Sequence, residues 1–202
     1  MQRWFARQRI PCLLLGSCAH GIDLPSVDVD FHATCHHAGA VLLRKGHRRI
    51  AFVVSKNGYV GEIASLEGLE SALCRESTAS LMVLRHNGSA DSVCAAIDQS
   101  LRVLPALTAY VVCGTAHVLT VVMHLMRRGR RIPADVSVVS RDGDPILESA
   151  SPTLARYDTQ PGRLASEACR AVRQILESGD ASPKNVRLMP EFVPGESVGI
   201  RK

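Results

Sequence analysis

Two apolar patterns alternate along this chain. Short continuous blocks, at residues 12–15, 50–54, 81–85, 109–113 and 136–140, have the length of strands buried on both faces. Between them lie stretches at 33–45, 62–74, 91–104 and 116–128, in which apolar positions return at helical spacing. A short strand at 26–29 and a last helix at 162–177 complete the series. Thr153-Leu-Ala-Arg-Tyr157 leads into that helix, and an extended tail through 186–193 follows it. Such alternation predicts an α/β fold, with parallel sheets covered by helices.

The junctions support this division. Gly46 follows the apolar run 38–43 with Arg44 and Lys45 in the last helical turn, where glycine supplies a left-handed cap and cations face the negative end of the helix dipole. Gly129 repeats the arrangement after Arg127-Arg128, and Pro133 keeps that helix from continuing. The next strand runs toward a carboxylate, Asp142. In open α/β sheets ligands bind beyond the carboxyl ends of the strands, so Asp142 stands where a binding residue would. The start of the chain is anomalous, because the strand at 12–15 and the helix at 162–177 lack enough sheet to pack against. We therefore expect further sheet and helix before Met1.

With 202 residues, 46% of them hydrophobic, the chain can bury one substantial core or two small lobes. The longest apolar runs, such as 118–126 with Thr120 and His124 inside it, fall short of a membrane span. The first nine residues are too basic, and the apolar run 10–15 too short, for a signal peptide, so a cytoplasmic location without membrane partners is expected. Seven cysteines with no Cys-x-x-Cys pair fit reduced thiols. The net charge of +5 does not by itself point to nucleic acid: the arginines are scattered as pairs at helix ends, and 4% aromatic residues leave little to stack on bases.

An ordered set of short motifs adds a more specific reading. Ile10-Pro11 leads into a strand, Ser26-Val27 is followed by Asp30, and Gly46-His-Arg-Arg-Ile-Ala51, Glu67-Gly68 and Ala72-Leu73 come next. Pro105 with Thr108-Ala109, Gly129 with Ile132-Pro133, Asp135-Val-Ser-Val-Val139, Asp142 and Pro190-Glu-Phe-Val193 complete it. In this order and spacing the chain resembles the effector-binding region of LacI/GalR-type transcription regulators, a periplasmic-binding-protein-like type I fold. The resemblance implies two lobes: 1–29 with 157–183 as part of the N-terminal lobe, and 30–156 with 184–202 as a nearly complete C-terminal lobe. It further implies a small effector, a sugar or purine, held in the cleft between lobes, a homodimer, and operator DNA reached only through a head upstream of this stretch. A hinge biased by the ligand's preference for one state would couple the two.

Carried over residue by residue, the resemblance gives a mixed site. Asp142 matches the strand-end aspartate and Asp30 the aspartate after the Ser-Val strand. The family's arginine before the helix glycine is Ser65 here, its Asn-Asp pair is Gly114-Thr115, the residue after Asp30 is Phe31, and its Gly-Phe before the aspartate is Ser140-Arg141. Arg141 could supply the missing guanidinium from the adjacent strand end, or pair with a surface carboxylate. Asp142 could equally serve the turn Asp-Gly-Asp-Pro, and Asp30 could cap the helix that follows it. Ser65, Thr115 and Tyr59 are pocket candidates by position.

Other chemistries are less well served. His32, Cys35, His36 and His37 suggest a metal, but the zinc-protease pattern needs glutamate where Ala33 stands. Gly195-Glu-Ser-Val-Gly199 matches a hydrolase elbow by letter, with no acid and histidine after it. Neither a dinucleotide glycine motif nor a P-loop occurs, so no cofactor is expected. An α/β enzyme acting on sugars or nucleosides would have only Asp30, Asp142 and Asp144 at its strand ends, and we expect no enzyme. A remnant that no longer binds ligand and serves for dimerisation is the remaining alternative.

Overall fold

The computed structural model describes residues 1–8, 10–178 and 185–201. It divides into two compact units, one of Met1–Asp30 with Thr159–Pro190 and the other of Phe31–Asp158 with Glu191–Lys202.

In the larger unit a six-stranded sheet takes the order β4-β3-β5-β6-β7-β9, with β3 Arg49–Ser55, β4 Ser80–His86, β5 Ala109–Val112, β6 Ser137–Ser140, β7 Ala155–Asp158 and β9 Glu191–Val193. Neighbours are parallel except β9, which runs antiparallel to β7. Helices α2 (Phe31–Arg44) and α3 (Val60–Leu73) cover one face, and α4 (Ala90–Val103) and α5 (Thr115–Arg127) the other. Successive residues of a strand point to opposite faces, so Ile50, Phe52 and Val54 pack with Leu42 and Leu69, while Ala51 and Val53 pack with Ile97 and Val121. This explains why the strands read as unbroken apolar blocks.

Small residues set the fit of α2 on α3. A Cβ on Gly39 would lie 2.7 Å from the Ala72 Cβ, and one on Gly68 would lie 2.1 Å from the His32 carbonyl oxygen. Both helix stops anticipated from glycine are present, with Gly46 at φ +88° and Gly129 at φ +75°. The chain end then returns beneath the sheet. Arg201 donates its N–H to the Lys45 carbonyl at 2.7 Å, and buried His47 bonds Thr108 through Nδ1 at 3.0 Å and the Gly199 carbonyl through Nε2 at 3.1 Å.

In the smaller unit a three-stranded parallel sheet has the order β1-β2-β8, with β1 Leu14–Leu15, β2 Ser26–Val29 and β8 Asn185–Leu188. The expected strand at 12–15 shortens to β1 because Pro25, which has no N–H, precedes the partner strand. Because β8 pairs with β2, the chain stays in this unit through Pro190, where the sequence reading expected it to leave near residue 184. Helix α6 (Pro161–Ser178) leaves Val172 and Leu176 exposed. Helix α1 (Gln2–Gln8) was not anticipated. None of its residues is buried, so it has no apolar period to read, and it is held by Gln2, which accepts from Ala19 N–H at 2.8 Å and donates to the Ser17 carbonyl at 3.2 Å.

Candidate functional site

Parallel strands deliver their carboxyl ends to one end of the larger sheet, and there three of the candidate residues meet. Arg141 and Asp142 follow β6 directly, while Ser65 lies one and a half turns into α3. Arg141 donates its backbone N–H to the Val112 carbonyl at 2.9 Å, which extends the β5–β6 pairing by one residue and fixes where its side chain starts. The guanidinium then engages both oxygens of Asp142 through Nε and Nη2, at 3.0–3.2 Å, and donates from Nη1 to Ser65 Oγ at 3.1 Å. Its central carbon, Cζ, lies over the Phe31 ring, 4.6 Å from the ring centre.

Each partner is itself held. Ser65 is fully buried and donates to the Gly61 carbonyl at 2.7 Å, and Asp142 accepts the Gly114 N–H at 2.7 Å. Phe31 is seated against α3, since a Cβ on Gly61 would lie 2.7 Å from its ring. The Arg141 side chain keeps only 11% of its exposure and Asp142 28%, so the pair is shielded but remains reachable from solvent on the carboxylate side. Behind it, burial pushes the Cys35 thiol up to about 12 and the Cys113 thiol well above its usual range. Both therefore stay neutral, and neither is a nucleophile near neutral pH.

The other candidates separate. Thr115 opens α5 next to Gly114, beside the carboxylate's backbone donor. Tyr59 precedes α3 with 63% exposure, its hydroxyl accepting from Asn57 Nδ2 at 3.3 Å. Asp30 belongs to the smaller unit and donates its backbone N–H to the Leu188 carbonyl at 2.9 Å. In the turn Asp-Gly-Asp-Pro it is Asp144 that caps the following helical turn, Pro145–Ser149, accepting from Ile146 N–H at 2.9 Å. Asp142 is left for Gly114 and Arg141.

The histidines and cysteine of α2 do not converge on one point: His32 and His36 stack with ring centres 6.5 Å apart, His37 meets the Tyr157 hydroxyl at 2.7 Å, and Cys35 is buried. Ser197, the serine of the elbow-like sequence, is a fully buried staple that donates to the Val138 carbonyl at 2.7 Å and accepts the Ala155 N–H at 2.9 Å.

Phe31 is the contact the sequence reading missed. It stands where the resemblance led us to expect asparagine, and counted as a departure from the family's pattern. The glycine at position 61, one helical turn before Ser65, was the available signal, because a glycine inside a helix marks a close approach.

Comparison with known proteins agrees with this architecture. The model of the periplasmic binding protein-like domain family matches residues 39–198. The HTH-type transcriptional regulator CelR of Thermobifida fusca is 27% identical over 173 residues, which are 85% of this chain and 51% of CelR, so the chain spans about half the length of that curated relative. Among solved structures, a LacI transcriptional regulator from Bacillus cereus subsp. cytotoxis superposes with a TM-score of 0.88 at 23% identity, covering 99% of this chain and 72% of the other. A CelR–cellobiose complex does so with a TM-score of 0.84 at 24% identity, covering 96% and 60%. At these identities the solved structures establish the shared fold.

Proposed function

The chain belongs to the periplasmic binding protein-like domain family, and from that premise we propose that it is the effector-sensing region of a LacI/GalR-type transcriptional regulator. The effector on this reading is a sugar or a related polyhydroxylated metabolite, and it binds at the carboxyl ends of β5 and β6. One observation carries the proposal: Arg141, Asp142 and Ser65 form a hydrogen-bonded cluster over the Phe31 ring at the strand ends. A guanidinium has five N–H donors in a fixed fork, and this one retains an Nη1 hydrogen without a protein partner among the described residues. Neighbouring hydroxyls of a sugar suit such a fork beside a carboxylate, and the Phe31 ring beneath the guanidinium holds the fork in place. The solved CelR relative in complex with cellobiose is consistent with that class of ligand.

Operator DNA is recognised, on this reading, through a head of the helix-turn-helix kind carried by regulators such as CelR. The protein acts as a cytoplasmic homodimer and performs no catalysis. The described residues contain no helix long and apolar enough to cross a membrane. Met123 and Met126 of α5 and Ile146 are exposed apolar side chains on which a second copy can pack.

The test is thermal stability against a panel of pentoses, hexoses, uronic acids and purines, with Asp142→Ala beside the parent. A ligand at about a hundred times its dissociation constant stabilises by roughly 2.7 kcal/mol, a readily measured shift. A pentose, hexose or uronic acid that stabilises the parent and not Asp142→Ala supports the proposal. A well-folded parent that responds to none of them refutes it, and leaves a dimerisation module that no longer senses sugars.

A further inference from the structure

The sequence scatters its arginines, and the fold gathers them. In the larger sheet the amino ends of four parallel strands line up: Ser80 N–H bonds the Arg48 carbonyl at 2.8 Å, Thr108 N–H the Arg49 carbonyl at 3.0 Å, and Ser137 N–H the Thr108 carbonyl at 2.8 Å. Every helix that feeds one of these strands must end at the same edge. Helix α2 ends there with Arg44 and Lys45 before β3 opens with Arg49, and α3 ends there before Arg75. Helix α4 ends with Arg102, and α5 with Arg127 followed by Arg128, Arg130 and Arg131. The returning tail adds Arg201, whose N–H is tied to Lys45.

Four carboxylates come near this edge, and one of them, Glu70 in the last turn of α3, is exposed with no ion-pair partner among the described residues, while the other three are engaged. Glu76 pairs with Arg48 at 3.3 Å and Asp135 with Arg131 at 2.8 Å, while Arg128 reaches back to Asp98 on α4. Arg44, Arg49, Arg75, Arg102, Arg127 and Arg201 are exposed, and none of them has an ion-pair partner among the described residues. A surplus of this size on one edge is more than capping of helix dipoles requires, since a cation near one helix end contributes only about 0.3–1 kcal/mol.

We propose that this basic edge is a second interaction surface, distinct from the strand-end site, that docks on the phosphate backbone of double-stranded nucleic acid without reading its sequence. The cations are arginines except Lys45, and a planar guanidinium suits phosphate oxygens, which it can bind through two N–H groups. No Phe, Tyr or Trp occurs in 44–49, 75–80, 102–108, 127–136 or 199–201, so the edge lacks a stacking platform for single-stranded bases and the aromatic anchor that a protein partner would fill. Four strand starts span about 15 Å at about 4.8 Å per gap, long enough to run beside about five phosphates of one strand at about 3.4 Å of duplex axis each.

The experiment uses the full chain and a short fluorescent duplex of random sequence, with anisotropy read across salt from about 50 to about 200 mM. The parent is expected to bind at the lower salt and to weaken steeply as salt rises. The variant Arg44→Glu/Arg49→Glu/Arg102→Glu/Arg127→Glu should bind at least about tenfold more weakly, with a slope of log K against log salt shallower by about 0.9 for each phosphate that is no longer neutralised. A control with the same change of net charge, Arg3→Glu/Arg7→Glu/Arg163→Glu/Arg173→Glu in the smaller unit, should stay close to the parent. If the quadruple variant melts early, the single changes Arg102→Glu and Arg127→Glu replace it, each expected to lower the slope by about 0.9. The proposal falls if the parent does not bind the duplex, if the control weakens binding as much as the edge variant, or if polyglutamate competes as well as unlabelled duplex. The last outcome would assign the edge to an acidic protein.

Discussion

Arg141 Nη1 donates to Ser65 Oγ across 3.1 Å, although the two residues are 76 positions apart in the chain. Ser65 occupies the position where the resemblance led us to expect an arginine, and the guanidinium arrives there from the end of β6. The chain thus has a guanidinium against position 65 although the residue there is a serine. A serine can then be buried completely beneath it, with its hydroxyl used twice.

This arrangement makes Asp142 a structural residue as well as a candidate ligand contact. Asp142→Ala leaves a cation with 11% exposure without its carboxylate and the Gly114 N–H without its acceptor. The expected loss is about 2–3 kcal/mol, below the 3–5 kcal/mol typical of fully buried pairs because Asp142 retains contact with water. Adding Arg141→Met should recover more than half of that loss, because the uncompensated charge goes with it. Urea unfolding of the two single variants and the double variant decides the point, and additive losses would mean that the pair is not coupled.

Two helix-stop glycines with the same backbone conformation should respond very differently to alanine. At Gly129, with φ +75°, a Cβ meets nothing within 4 Å, so the cost is the left-handed conformation alone, about 1 kcal/mol. At Gly46, with φ +88°, the Cβ would lie 2.1 Å from the Arg201 carbonyl oxygen. Gly46→Ala must therefore expel the chain end as well, and about 2–4 kcal/mol is expected. Ending the chain at Gly199 removes the clash. In that background Gly46→Ala should cost no more than Gly129→Ala in thermal unfolding, and an undiminished cost would place the strain elsewhere.

What could be read from the sequence follows the range of the interaction that determines it. Helix stops at Gly46 and Gly129 and strands such as β3 rest on local periodicity and backbone preference, the position of Asp142 follows from where a strand ends, and Ser65 and Arg141 were candidates only through the family resemblance. The pairing of β8 with β2 was not legible, because a parallel partner is chosen by burial far along the chain. The contact of Phe31 with Arg141 was hidden for a similar reason: it needs α2, α3 and β6 in register together. Convergence of the arginines on one edge is a product of topology. Read along the chain they are pairs at helix ends, and only parallel strand order places those ends side by side.

Gly88 donates its N–H to His86 Nδ1 at 3.1 Å, so the imidazole proton sits on Nε2, which is buried with no hydrogen-bond partner among the described residues. The His117 ring lies 4.3 Å away, centre to centre. Burial first, and His117 second, hold the pKa of His86 down to about 4 from an ordinary 6.5. Above pH 6.5 the ring is neutral in both folded and unfolded chains and contributes nothing to the pH dependence. As pH falls from 6.5 toward about 4 the unfolded chain takes up a proton that the folded chain refuses, so stability is lost on acidification through that window and levels off below it. The slope is at most about 1.4 kcal/mol per pH unit, and the total at most about 3.4 kcal/mol. Burial depresses His37 and His47 in the same direction, so the parent's own curve is steeper than His86 alone would make it. His86→Phe isolates the contribution, since phenylalanine fills the space without titrating. The difference between parent and variant in urea-derived stability should shift in the variant's favour from pH 6.5 down to about 4. Parallel curves across that window would show that His86 takes up its proton in the folded protein as readily as in the unfolded one.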